Sequence, residues 1–270
     1  MQNPPELFDL ELYHKRQKRV VKEALFLHDQ AIEIIQERLE EVNKPFQKIG
    51  IIGAQAEYWE KKMGIRADTI NLDDFLNLKE AHYDLIIHAM GLHVLNDPVG
   101  QLVQINRALA PDGMVLVCLF GGQTLQELRL AFASAESKVL GGISPRIFSM
   151  GEIRDLGGLI ARAGFTQPVA DNFAFTVKYD HPLKLMHDLR MMGETNVMHD
   201  RLRHLSRDLL REVFGAYPKG KEDKFPATFD LIFLTGWKAH ESQQKPLRPG
   251  SAQSRLADIL NTDEIPLKRD

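Results

Sequence analysis

Three short stretches of this 270-residue chain hold residue types able to do chemistry at the rim of an open α/β sheet. The first is Gly53-Ala54-Gln55-Ala56, directly after the apolar run Lys48–Ile52. A strand followed by such a turn is where an open sheet meets a nucleotide, because the backbone must turn sharply and come close to the ligand. A Cβ blocks that approach, so several glycines are expected, and only Gly53 is one. Gln55 and Tyr58 are placed to fill the space instead. The second stretch is the exit of the continuously apolar run Tyr83–His88. There His93 is a candidate general base or substrate-orienting group and His88 a candidate cofactor contact; both rings can equally be packing groups. The third is Phe120-Gly121-Gly122-Gln123, with Glu127 and Arg129 on the helix that follows. Tandem glycines at a strand end let a ligand or partner approach, or simply permit a tight turn. His181, His187 and His199-Asp200 are the residue types of a two-histidine, one-carboxylate iron site, but no spacing gathers them, so no metal is expected.

The elements that must position these residues follow from pattern. Helical periodicity covers Leu10–Leu27 and Asp29–Glu41, and Asn43-Lys44-Pro45 stops the second. After the strand Lys48–Ile52 come a helix at Glu57–Met63 and a strand at Ile65–Leu72. Tyr83–His88 is apolar throughout, as a parallel strand covered on both faces should be. Asp97-Pro98 caps a helix to Ala108, Pro111-Asp112-Gly113 turns, and Met114–Phe120 is a second buried strand. Gly121-Gly122 opens a helix to Lys138. Helix Met150–Ala163, strand material in Phe165–Val169 and Phe173–Tyr179, helices Pro182–Met192 and His199–Phe214, and strand Thr228–Trp237 complete the pattern. Alternation of this kind predicts a doubly wound α/β sheet. The expected organisation is an N-terminal helical segment (1–47), an α/β domain (48–239) with a helical insertion near 181–214, and a polar tail (240–270).

Composition narrows the function. A hydrophobic content of 44%, a charged content of 26% and a net charge of −3 describe an ordinary globular chain with no electrostatic footprint for nucleic acid. The single cysteine, Cys118, lies in the strand Met114–Phe120 and reads as a buried thiol in a reducing compartment. No apolar run reaches the ~18 residues of a membrane span, and Glu6, Asp9 and Glu11 argue against a transit peptide. A cytoplasmic, bacterial protein is expected. The cluster His14–Arg19 suits an acidic partner or a peripheral contact with anionic lipid, and suits a solvated helix face as well.

Gly91–Asp97 followed by Ala108–Gly113 resembles the segment between the fourth and fifth strands of class I S-adenosylmethionine (SAM) methyltransferases. The resemblance sharpens through Phe120–Arg129, Gly141–Pro145, Asp155-Leu156-Gly157, Arg162–Phe165 and Leu189–Asn196. It continues in Pro226–Thr228, Gly236-Trp237-Lys238, His240–Ser242 and Arg248–Ala252, and includes the basic stretch Leu7–Lys18. Together these are similar to the mitochondrial complex I assembly factor 5 family and its alphaproteobacterial relatives, and more distantly to the malonyl-carrier-protein methyltransferase of biotin synthesis. The resemblance implies a seven-stranded Rossmann-like sheet with its last strand antiparallel. It also implies work on an iron–sulfur subunit of respiratory complex I, associated with arginine hydroxylation rather than methylation. Trp237 and the tail beyond it resemble family features that suit a partner-binding surface.

Departures from the family pattern carry as much weight. Only Gly53 remains of the glycine-rich turn. The span from Gly53 to Tyr83 is too short for the usual strand and helix units, which implies loss of the second strand, its helix and the carboxylate that accepts from both ribose hydroxyls. Asp73, in Asn71–Leu78, matches the exit of the family's third strand, where an acid contacts the adenine amino group. Two charge-assisted hydrogen bonds to the ribose contribute about 2–4 kcal/mol, and losing ~4 kcal/mol weakens binding roughly a thousandfold. The expectation is a degenerate SAM site and no cofactor, on a fold that holds a protein client, possibly a complex I subunit. The alternative is an active methyltransferase or arginine-modifying hydroxylase whose rebuilt site uses SAM.

Overall fold

The computed structural model describes residues 6–148, 150–202, 204–243 and 262. Residues up to Ala239 form one compact unit and His240–Asp270 a second. Apart from Thr262, the tail beyond Gln243 lies outside the described residues, and with it the motif Arg248–Ala252.

Helix α1 (Leu10–Gln17) is capped by Asp9, whose carboxylate accepts from the Leu12 amide at 2.8 Å. Periodicity predicted one helix to Leu27. Instead the chain leaves the helix after Gln17, and a short 3-10 turn precedes α2 (Phe26–Glu41). The break lets the Val21 amide donate to the Met191 carbonyl at 3.1 Å, a contact no local pattern announces. Then come β1 (Ile49–Ile52), α3 (Ala56–Met63), β2 (Ala67–Ile70) and β3 (Tyr83–Ala89). Asp97 caps α4 (Pro98–Ala108), and β4 (Leu109–Phe120) absorbs the expected Pro111–Gly113 turn as an irregularity in its pairing with β3. Helix α5 (Gln126–Leu140) starts later than the tandem glycines suggest, after a turn in which Leu125 takes φ 56°. Following α6 (Ile153–Arg162), β5 (Phe165–Tyr179) is a single strand where two were expected. Asp171-Asn172 looks like a break but stays in the ladder, with Asn172 Nδ2 donating to Asp230 and Asp171 paired with Arg38. The last elements are α7 (Pro182–Met191), α8 (Arg207–Ala216) and β6 (Phe225–Lys238). Helix α8 starts beyond the expected His199, because the Met198–His199 stretch is tied to the N-terminal segment through the Phe8–Met198 bridge and the His199 amide.

The sheet runs β2-β1-β3-β4-β6-β5. Strands β1 to β4 are mutually parallel, while β6 lies antiparallel to both β4 and β5. The final strand is reversed, as the resemblance implies, and the sheet has six strands rather than seven. Only α3 and β2 separate β1 from β3, and β2 stands directly beside β1.

Both faces are covered, so successive residues of each central strand enter different cores. Leu85, Ile87, Met114, Leu116, Cys118, Phe229 and Phe233 pack with α2, α3, α5, α7 and α8. Ile86, Val115, Val117, Leu119, Ile232 and Leu234 pack with α1, α4 and α6. Burial pushes the Cys118 thiol pKa far up, consistent with its reading as a packing group. The carboxyl ends of β1 to β4 therefore form one rigid rim, against which α1 and the stretch after α7 lie.

Candidate functional site

At the first turn the surviving glycine is a packing glycine. A Cβ on Gly53 would meet the Ala89 carbonyl oxygen at 2.7 Å, so the turn passes too close to the exit of β3 for any side chain. Gln55 closes the space in front: its Nε2 donates to Gln17 Oε1 at 3.0 Å. Tyr58, the other candidate filler, turns away and donates to Asp29 at 2.6 Å. Gln17, in the last turn of α1, is itself buried, and its Nε2 lies 3.4 Å from Glu194 Oε1. Glu194 Oε2 in turn faces His93 Nε2 at 3.4 Å. A polar chain, Gln55–Gln17–Glu194–His93, thus runs across the rim where a nucleoside would enter.

The N-terminal segment and the helical insertion are built to hold it. Arg16 donates to the backbone carbonyls of Thr195 (2.8 Å) and Asn196, while Asn96 takes the Leu7 and Phe8 amides at 2.8 and 2.9 Å. Gly193 has φ 81°, and a Cβ there would stand 2.7 Å from Gln17 Nε2, so glycine lets the two segments close. Nearby, His28 accepts from Trp59 Nε1 at 2.8 Å, and burial lowers its pKa to about 4.

His88 is structural. Its Nε2 lies 2.6 Å from Gln101 Oε1, and Gln101 Nε2 donates to the Asp73 carbonyl at 2.7 Å. The ring therefore pins the loop after β2 through Gln101; burial lowers its pKa to about 4 and keeps it neutral. Asp73 is exposed, with its carboxylate accepting from the Asp74 amide at 2.8 Å. Between β2 and Asp73 stand exposed Asn71 and fully buried Leu72.

His93 keeps its place at the rim, its ring edge-on to Phe120 at 5.0 Å and stacked on Phe148 at 6.3 Å. Phe120 and Glu194 line a cavity of about 210 Å³ together with Tyr13, Leu128, Phe148 and Leu189. Its walls are mostly apolar. Burial, then the Glu194 carboxylate, push the Tyr13 pKa well up, so it stays a donor.

The remaining sequence candidates brace the fold. A Cβ on Gly121 would meet Asp230 Oδ2 at 2.6 Å, and one on Gly122 would meet Glu152 Oε1 at 2.4 Å. The Gln123 amide reaches Asp230 Oδ2 at 3.4 Å, Glu127 takes the Thr228 amide at 3.0 Å, and Arg129 donates to the carbonyls of Gly122 and Thr124. Trp237 pairs with Met114, at the opposite end of β4 from Phe120, with Lys44 over its ring. His181 accepts from the Leu183 amide, whereas His187 and His199 pair with Asp188 and Glu6. Among the described residues no group of three such side chains could hold a metal. Sequence reasoning missed Tyr13, Gln17 and Glu194; the one signal was Gly193-Glu194 inside the quoted stretch Leu189–Asn196.

The turn lies against Ala89, Gln55 stands at its mouth, and the strand beside β1 leads through Asn71 and buried Leu72 to exposed Asp73.

Strand order and the reversed final strand define a class I methyltransferase fold. No family model matches the chain. Among curated proteins it is similar to the mitochondrial arginine-hydroxylase NDUFAF5 of Danio rerio, 38% identical over 72% of this chain and 61% of that one, and to that of Homo sapiens, 38% identical over 69% and 55%. A malonyl-[acyl-carrier protein] O-methyltransferase of Laribacter hongkongensis is 28% identical over 65% and 58%. Among solved structures, a SAM-dependent methyltransferase of Thermotoga maritima aligns at TM-score 0.47 and 9% identity over 85% of this chain and 100% of that one. The chain spans 46–61% of the length of the NDUFAF5 proteins it matches.

Proposed function

We infer that this chain is a methyltransferase-fold assembly factor that holds a protein client, a subunit of respiratory complex I, with the nucleoside side of its front closed. The observation that carries the reading is the polar chain Gln55–Gln17–Glu194–His93, because the groups that would meet a cofactor bond to one another instead. Similarity to NDUFAF5 supports a client of that class. A cytoplasmic, bacterial setting suits the composition, and no helix among the described residues is long and apolar enough to cross a membrane. The test is a pull-down from native lysate with mass spectrometry. A co-purifying complex I subunit is expected; a chain that retains no client overturns the reading.

A second reading, arginine modification with a rebuilt cofactor site, is favoured by one feature. The Glu194 side chain is 12% exposed beside an apolar cavity, and Gln17 Nε2 and His93 Nε2 each stand at 3.4 Å from its carboxylate, which leaves it able to receive a guanidinium. Mass spectrometry of arginines in the captured client separates the two readings. A mass increase that depends on Glu194 favours modification.

A further inference from the structure

We propose that the groove between the N-terminal segment, α5 and the 141–148 loop binds a free fatty acid, a single aliphatic chain ending in one carboxylate, with that carboxylate on Arg129. The site is separate from the polar chain across the rim and does not rest on the client reading. The groove, of about 620 Å³, is walled by Leu7, Phe8, Leu130, Ile143, Phe148 and Met198. Leu130 and Ile143 are 66% and 70% exposed, and large aliphatics left in water along one concavity mark a place for an apolar ligand.

Charge decides what else that ligand carries. Among the described residues the groove's only charged lining groups are Arg129 and Arg146. Arg146 is already neutralised: its Nε donates to fully buried Glu136 at 2.7 Å, and its Nη1 donates to the carbonyls of Leu202 and His204. Glu136 also accepts from the Ser144 amide (2.7 Å) and hydroxyl (2.6 Å), so the loop presenting Ile143 is a fixed wall that loses little freedom when covered. Arg129 is left incomplete. Its Nη1 and Nη2 donate to the carbonyls of Gly122 and Thr124 at 3.3 and 3.1 Å, and its Nε is buried without a partner. Among the described residues its partners are thus neutral carbonyls and no carboxylate. A guanidinium carries five donors in a planar fork, so these two bonds leave it able to receive a carboxylate. One uncompensated cation beside aliphatic and aromatic walls fits an amphiphile with one anionic head and one apolar body. An anionic membrane surface is instead gathered by clusters of exposed lysine and arginine. The groove lacks them among its described lining residues, and Arg129 itself is partly buried.

The probe is 11-(dansylamino)undecanoic acid, titrated with the full chain and read by dansyl emission. Dodecanoate, dodecanol and dodecylamine are the competitors, all below their micellar concentrations. Saturable binding is expected, with dodecanoate displacing the probe at least about tenfold better than dodecylamine. Arg129→Gln should remove that preference, and Arg129→Lys, which keeps the charge, should retain most of it. The double variant Leu130→Ser, Ile143→Ser changes two exposed positions and should leave the melting temperature in place. It should weaken dodecanoate and dodecanol alike by about tenfold. No saturable binding, equal displacement by dodecanoate and dodecylamine, or a double variant that binds like the unaltered chain overturns the proposal. A preference that survives Arg129→Gln overturns it as well. So does binding to phosphatidylglycerol–phosphatidylcholine vesicles through Leu130 and Ile143 by a chain that takes up no probe, which would assign the groove to a membrane surface.

Discussion

Gly53 and Gly193 stand at the same rim for the same reason: each is pressed against a neighbour that leaves no room for a Cβ. Gly53→Ala is expected to cost about 1–3 kcal/mol in urea denaturation, as an overpacking change, whether or not SAM is present. An unchanged midpoint would show that the contact with Ala89 relaxes freely. Two buried imidazoles give the molecule an acid limb. Burial lowers the pKa values of His28 and His88 to about 4, against an ordinary 6.5. In the unfolded chain both take up protons near 6.5, so the stability they protect is complete above that pH and is lost between about 6.5 and 4. Each is worth about 3 kcal/mol at full effect. The urea midpoint should fall between pH 7 and pH 4.5, and His88→Gln should flatten part of that slope. A midpoint constant across that range would contradict the assignment of both rings as buried and neutral.

At the scale of elements, α1 and the stretch after α7 behave as one cover. They are fastened at Phe8–Met198, at Arg16 with the carbonyls of Thr195 and Asn196, and at Val21–Met191. Arg16→Ala should loosen both together, so that the Asp9, Val21 and His199 amides exchange with solvent about tenfold faster as a group. Exchange that accelerates in only one of the two segments would mean they open independently. These fastenings also set the limits of what the sequence reveals. Apolar runs such as Tyr83–His88 and capped starts such as Asp97-Pro98 declare themselves locally, and β3, β4 and α4 stand where pattern puts them. The break after Gln17 and the late start of α8 answer to bonds between distant parts of the chain, which no local window contains. The site divides in the same way. His93 and Phe120 are legible because strand exits face ligands in open sheets. Tyr13, Gln17 and Glu194 become neighbours only when the cover closes. Conversely, His88, Glu127 and Arg129 look like chemistry in sequence, yet their partners are Gln101, Thr228 and backbone carbonyls.

For the whole molecule, the sheet has six strands, and both faces of its central strands are covered. On the proposed reading, stability does not depend on a bound nucleoside and the rim serves another purpose. That claim is tested most directly by isothermal titration of SAM into the full chain. No heat beyond dilution is expected up to about 1 mM, the limit at which binding falls to about 4 kcal/mol. A saturating isotherm in the micromolar range, weakened by substitution of Asp73, would contradict it.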